Sequence, residues 1–439
     1  MPDVIEQTDR VQYREDLERV LALDAPAWLR ELRTDAAARF DALAFPHYKE
    51  EAWRSTNIAP ILSTPFRAAA KPLPGVVTES QVDPYLYDED AWTQLVFVNG
   101  FYVEELSRRG ASQKGVQVGS LAEAIREGNP RVEERLDHLA EQTSAFIALN
   151  SASFRDGAFI EIAKNTVLDA PIHLLYLSTS EHASVAYPRN LVIVGQSAQA
   201  TLVETFAGLS GTERYLNNVV SEIVLEDNAR LERYKMVGEA DTGYHLATDQ
   251  IVLGRDAYLN HFVITIAGDI VRNELRVLLN GEGAECSLNG LYLNDGDRTI
   301  DNALNVEHAK SRCRSRMAYK GVLDDTSAAV FTGKVFVEPN AQQTDSDQLN
   351  NNLLLSDKAT LDTRPQLEIF ADDVKCTHGA TIGSFPSELI FYFQSRGIDA
   401  KQAHGILTYG FAEQIVDMIK VEALRKQLAR HVFNKYSKI

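Results

Sequence analysis

A chain of 439 residues, 45% hydrophobic and 24% charged, is long enough for more than one structural region and has an ordinary globular composition. Its 62 acidic against 44 basic residues leave a net charge of -18, a field that repels polyanions and argues against nucleic acid or an anionic membrane as partner. The three cysteines, Cys286, Cys313 and Cys376, are far apart and form no CxxC pair. With no apolar h-region at the N-terminus and no run near the roughly 18 apolar residues of a membrane span, a reducing, cytoplasmic location is expected.

In chain order, residues 10–45 are expected to be helical. Leu17, Val20 and Leu21 recur at helical spacing, followed by Leu29, Leu32, Phe40 and Leu43. Pro46 stops the pattern, and EEAWRSTN (Glu50–Asn57) comes next in a polar setting. Residues 59–85 are rich in Pro, Ala and Thr and are expected to be loop. Thr93–Leu106 suggests a hairpin about Asn99-Gly100. Helical pattern returns in SLAEAIREG and in RVEERLDHLAEQTSAFIALN, where His138 is expected at the surface. Residues 1–154 therefore form a mainly helical region with a hairpin.

From 155 to 384 helical spacing disappears. Short alternating runs replace it, among them NLVIVG, EIVLED, ARLERYKMV, QIVLGRD and CSLNGLYL, separated by Gly, Asn and Asp. The segments LVIVGQSAQATL, IVLEDNARLER, IVLGRDAYLNH and VLLNGEGAECSL share a grammar in which a small residue comes after a polar turn. That residue falls at Ala229, Ala257, Ala284, Ala309, Ala341 and Ala359, a period suited to a solenoid. The expected fold is mainly β: a right-handed parallel β-helix, or a flattened one, flanked by N- and C-terminal α-helical regions. A β-sandwich is the rival. Cys286 and Cys313 lie in strand-like repeats and are expected to be packed. From 385 to 439 helices resume. One stripe holds Ala403, Ile406, Leu407, Gly410, Phe411, Gln414 and Ile415, another Leu424, Leu428 and Val432, and His431 is expected at the surface.

No P-loop, no GxGxxG opening a helix, no GxSxG elbow and no HExxH occurs. The abundant carboxylates would suit a polysaccharide-acting β-helix enzyme, but no pair stands out. Cys376 and His378 do stand out. At i and i+2 on a strand they share a face, and a thiolate with an imidazole offers two ligands for iron or an iron–sulfur cluster. Two ligands are half a set. The bland alternative is a packed thiol beside a surface histidine, both inert in a structural homodimer.

EEAWRSTN, ALNSASFRDGAFIEIAKNTVLDAPIHLLYL (Ala148–Leu177), PRNLVIVG with TLVETF, and above all LEIFADDVKCTHGATIG with FYFQSRGI resemble the SufB/SufD family of iron–sulfur cluster assembly proteins over nearly the whole chain. The resemblance implies a non-catalytic scaffold subunit that pairs with a SufB-like chain and binds the ATPase SufC. It places the metal- or cluster-handling histidine at His378, with Cys376 less secure. It places SufC docking around Arg396, Gly397, Ile398, Phe411, Ile415 and Ile419. Cluster or iron would be transient and shared with the partner, with no nucleotide site in this chain. A reduced-flavin contact has no assignable position. An unsatisfied edge takes a homologous partner, so an isolated chain could pair with itself.

Overall fold

The computed structural model describes residues 13–87, 90–139, 143–179 and 181–437. From Ala158 to Gly383 the chain alternates between two sheets, two strands per turn, so the turns stack as a flattened parallel solenoid. The first sheet runs from Ala158–Ile162 through Gly243–Leu253 to Thr360–Ile369, the second from Ile172–Ser178 through Arg230–Gly238 to Val374–Gly383. These strands pair in parallel, each with the equivalent strand one turn away, which excludes the antiparallel sandwich. The molecule is mainly β with helices toward both termini.

One corner shows why the sequence stacks. Asn165, Ser197, Asn228, Asp256, Gly283, Arg312 and Gln343 all have φ near +55 to +72°. Each of the first six donates its N–H to the carbonyl just before its counterpart one turn on, as Asn228 does to Arg255 and Asp256 to Glu282, and Gln343 donates to the carbonyl of Asp373. Asn, Asp and Gly tolerate this left-handed conformation, so polar turn residues recur there. The next residue points into the narrow corner and must be small. It is Ala198, Ala229, Ala257 and Ala284, all buried.

Beyond Ala284 the expected register needs correction. Strand pairing puts Cys313 opposite Ala284 and Thr344 opposite Cys313, so Cys313 and Thr344 hold the corner, not Ala309 and Ala341. Ala359 precedes Thr360–Ile369 and belongs to the opposite corner. Cys286 and Cys313 are both fully buried in the core.

Helices cover part of the outer face of each sheet. Helices Ala27–Ala42 and Ala145–Ser153 pack on the first sheet, burying Phe40, Phe146 and Leu149 against Leu191 and Leu216. Helices Ala400–Val416 and Glu422–Ser437 pack on the second, setting Ile415, Ile419, Leu424, Leu428 and Val432 against Tyr234, Phe262 and Leu291. Each such side chain contributes about 1.5–3 kcal/mol. In Ala400–Val416 the buried residues are Ala403, Gly405, Thr408, Ala412, Ile415 and Val416. Ile406 and Gly410 of the expected stripe face outward, while Gln414, exposed, accepts a hydrogen bond from Lys320 of the solenoid.

Some N-terminal expectations also change. The expected helix start at residues 10–12 lies outside the described residues; 13–21 are helical. Residues 59–85 hold short helices at Ala59–Leu62 and Glu79–Val82. Helical pattern 131–150 breaks after Pro130–Arg135, and its residues 140–142 lie outside the described set. Asp137 adopts φ 66° and accepts hydrogen bonds from Arg189, Arg39 and Ser151, so a buried ion pair outweighs helix continuity there. Asn99 and Gly100 have φ 53° and 81°, the pair a tight hairpin needs. The hairpin's return strand is only Phe101–Tyr102.

Candidate functional site: the open end of the solenoid

The two ends of the stack differ. At the N-terminal end the first sheet closes with Val116–Ser120, antiparallel to Ala158–Ile162, and the second with the hairpin of Thr93–Val98 and Phe101–Tyr102. Antiparallel strands and short edges blunt pairing. At the other end Thr360–Ile369 and Val374–Gly383 each have one neighbouring strand and form the last turn. Each is ten residues long and neither is fully buried at any position.

Val374–Gly383 carries both Cys376 and His378. Their Cα partners on Thr344–Leu354 are Ser346 and Gln348. Cys376 is half-buried against the core together with Val374, so their shared face is the inner one, and His378 lies on that face two residues on. His378 is exposed. Burial pushes the Cys376 thiol up from its ordinary value, so a metal must displace its proton.

Beneath this pair the interior changes character. The two preceding strands of the same sheet point mostly apolar residues inward: Cys286, Leu288 and Tyr292 from one, Met317, Tyr319 and Leu323 from the other. Thr344–Leu354 instead turns Thr344, Ser346, Gln348, Asn350 and Asn352 inward, all buried. His308 Nε2 lies 2.9 Å from Ser315 Oγ, which lies 2.8 Å from Ser346 Oγ, so a hydrogen-bonded line reaches the residue stacked under Cys376. Asn350 donates to Thr363 Oγ1 at 2.9 Å, and the Tyr292 hydroxyl reaches Asn350 and Asn352. Gln348 is 1% exposed with both amide atoms lacking a protein partner. Its amide fills the space that Gly333 leaves open. Sequence reasoning missed this polar floor. Its signal was present in TDSDQLNNNLL, a strand of the stack whose inward-facing positions are polar from Thr344 to Asn352, with Leu354 alone returning to the apolar core.

Among the described residues no three His, Cys, Asp or Glu side chains converge on a metal position. Cys376 and His378 are brought to one face and remain two. The other predicted positions lie elsewhere. Arg396, Gly397 and Ile398 come directly after helix Ser387–Ser395; Gly397 takes φ 85°, and the Ile398 N–H caps the Phe393 carbonyl at 3.1 Å. That helix buries no residue, and Phe391 and Tyr392 are 70% and 54% exposed. Ile415 and Ile419, by contrast, are buried against the second sheet. Phe411 is half-buried, with the Lys320 ammonium 4.2 Å from its ring centre and 3.1 Å from its carbonyl oxygen. These three hold the helix to the solenoid. His138 and His431 are exposed.

The fold and its open end define a parallel-solenoid protein whose terminal turn, paired on one side only, carries a cysteine and a histidine on one strand face. Residues 176–411 match the family profile described as SUF system FeS cluster assembly, SufBD core domain, and residues 7–174 match the SufBD protein N-terminal region. The chain is 31% identical to a SufBD family iron–sulfur cluster assembly protein of Synechocystis, over 91% of this chain and 89% of that one. It is 30% identical to the iron–sulfur cluster assembly protein SufD of Escherichia coli, over 88% of each chain. It is 25% identical to SufD of Bacillus subtilis, over 93% of this chain and 94% of that one. The chain belongs to the SufBD family of iron–sulfur cluster assembly proteins. No helix among the described residues is long and apolar enough to cross a membrane.

Proposed function

We propose that this chain is a non-catalytic scaffold subunit whose last turn pairs edge to edge with a SufB-like chain in the cytoplasm, completing a transient site for iron or an iron–sulfur cluster. The observation that carries the reading is the asymmetry of the stack: one end is blunted and the other presents two unpaired strands with Cys376 and His378. Main-chain pairing of such edges gives a register-defined interface, and without that partner the same edge would take a second copy of this chain. The cluster is cargo. His378 would donate one imidazole nitrogen, Cys376 a sulfur once deprotonated, and the partner the remaining ligands.

The ATPase SufC would dock on the C-terminal helices. The surface that suits it is helix Ser387–Ser395 with the exposed Phe391 and Tyr392, continued by Arg396, Gly397 and Ile398. Phe411, Ile415 and Ile419 would serve docking by fixing the next helix to the solenoid, which gives ATP-driven closure a stiff lever on the scaffold.

The test is the reconstituted complex with His378→Ala. Expected is normal assembly with loss of most bound iron and acid-labile sulfide. Undiminished cluster content in an assembled complex would sink the ligand role. Cys376→Ser, assayed the same way, separates ligand from packing. Ile382→Lys sets a charge on the unpaired edge and should weaken assembly; a complex that forms as tightly as wild type would refute edge pairing.

A further inference from the structure

The segment Glu50–Asn57 is the one recognisable motif that the scaffold reading leaves without a role. It does not lie near the N-terminal end of the solenoid. Its short 3₁₀ turn Glu51–Trp53 sits across the outer face of the first sheet at the open end. Strand register lines up Arg272, Asp301, Val330 and Asp362 across the last four strands, and the segment contacts three of these four. Trp53 stacks on the Arg272 guanidinium, 3.9 Å from the ring centre. Thr56 Oγ1 donates to Asp301 at 2.5 Å. Ser55 Oγ donates to Asp362 at 2.5 Å and accepts from Arg364 at 2.6 Å. Arg364 also donates to the Glu51 carbonyl at 3.1 Å, and Gln366 to the Glu51 carboxylate at 3.1 Å.

Three outward residues of the edge strand Thr360–Ile369 are thus tied to one segment more than 300 positions earlier, while Trp53 and Thr56 anchor that segment on strands further inward. The edge strand needs such support. No residue in it is fully buried, and only one flank is hydrogen-bonded to another strand. The other edge strand, Val374–Gly383, is tied differently. Its side-chain hydrogen bonds among the described residues, such as Thr381 to Asn351 at 2.8 Å, reach only the adjacent strand.

We infer that Glu51 and Ser55 are positioning residues of a clamp that holds Thr360–Ile369 extended and in register, as the template on which the second solenoid chain pairs. This rests on the edge-pairing reading and adds which of the two edge strands is pre-ordered and by what. A strand already fixed in its paired conformation loses less entropy on association.

The experiment uses the full chain carrying Glu51→Ala with Ser55→Ala. This pair removes three side-chain hydrogen bonds to the edge strand and leaves the Trp53 and Thr56 anchors intact. Hydrogen exchange is followed by mass spectrometry, and pairing is titrated with a SufB-like chain and with a second copy of this chain. Expected is roughly tenfold faster exchange in Thr360–Ile369, unchanged exchange in Val374–Gly383, and roughly tenfold weaker pairing. Ser55→Thr with Glu51→Gln, which keep the hydroxyl and an acceptor, should restore both. Wild-type exchange or wild-type pairing in the alanine variant overturns the clamp. If the wild-type chain itself pairs with neither partner, the scaffold reading falls, and the clamp's part in pairing falls with it.

Discussion

Lowering the pH from 7 to 5 should cost the fold about 4 kcal/mol through two histidines alone. His173 is fully buried under the edge of Tyr87, with Nε2 3.0 Å from Thr205 Oγ1. His308 is buried at the end of Thr299–His308, with Nε2 2.9 Å from Ser315 Oγ. Burial lowers them to about 3 and about 4 from the ordinary 6.5. Both folded values lie below the unfolded one, so in that window the unfolded chain binds more protons and stability falls as the pH falls. At pH 5 each imidazole is about 1.5 pH units below its unfolded pKa and still neutral in the fold. At about 1.36 kcal/mol per unit, each contributes a loss of about 2 kcal/mol. His245 and His261, also lowered by burial, push the same way. The assay is urea unfolding at pH 7, 6 and 5, read by circular dichroism and tryptophan fluorescence. His173→Gln with His308→Gln keeps hydrogen-bonding amides without titration and should flatten the dependence by about 4 kcal/mol. A wild-type stability that is level from pH 6.5 to 5, or a double variant with the wild-type slope, would refute the reasoning.

Asp249 accepts from Arg233 at 2.7 Å and from Lys235 at 3.1 Å inside the solenoid, and Arg233 also reaches Glu204 at 2.6 Å; Asp249→Asn should cost about 3–5 kcal/mol in urea unfolding, because it takes the carboxylate from buried Lys235 and leaves Arg233 with Glu204 alone. Asp249 is held well below the usual carboxylate range by these partners despite its burial, so its stabilisation is present above about pH 4 and lost as the pH falls further. Gly157→Ala should destabilise by about 3 kcal/mol or more, because Gly157 takes φ +156° and a Cβ there would lie 1.9 Å from the Arg189 carbonyl oxygen. At the corner, Gln343 with φ 60° should accept Gly or Asn with neutral or slightly raised thermal stability, whereas Gln343→Val should cost about 1–2 kcal/mol.

The legible part of the fold came from local physics. Alternation and left-handed turn residues mark the strands from 155 onward, and Ala229, Ala257 and Ala284 give the corner its period because no large side chain fits there. The period became illegible at Cys313 and Thr344, where other small residues meet the same steric demand and turn length changes. Charge was the deeper obstacle. In ARLERYKMV, Arg233 and Lys235 alternate with Glu232 and Tyr234 as on any half-solvated strand, yet both cations face inward. Only Glu204 and Asp249, brought from other strands, make that placement tolerable. Nothing local encodes a partner 14 to 29 residues away.

The same distinction governs the site. The i, i+2 relation of Cys376 and His378 is a property of one strand and could be read directly. Whether that strand is buried in the stack or ends it depends on the next segment of chain, and that segment is helix, which cannot extend a parallel sheet. The inward Thr344, Ser346, Gln348, Asn350 and Asn352 then acquire a meaning. A stack that continued would favour apolar residues there, as the two preceding strands of that sheet have. Thr344, Ser346, Asn350 and Asn352 find hydrogen-bond partners within the chain, whereas the Gln348 amide has no protein partner and is satisfied only by water or by a polar group from another chain. Under the proposed edge pairing, the Gln348 amide beneath His378 would meet polar groups of the second chain. Gln348→Leu should leave the isolated chain as stable as wild type or more so, yet impair cluster retention in the assembled complex. A variant that loses stability and keeps full cluster content would show instead that the amide serves this chain alone.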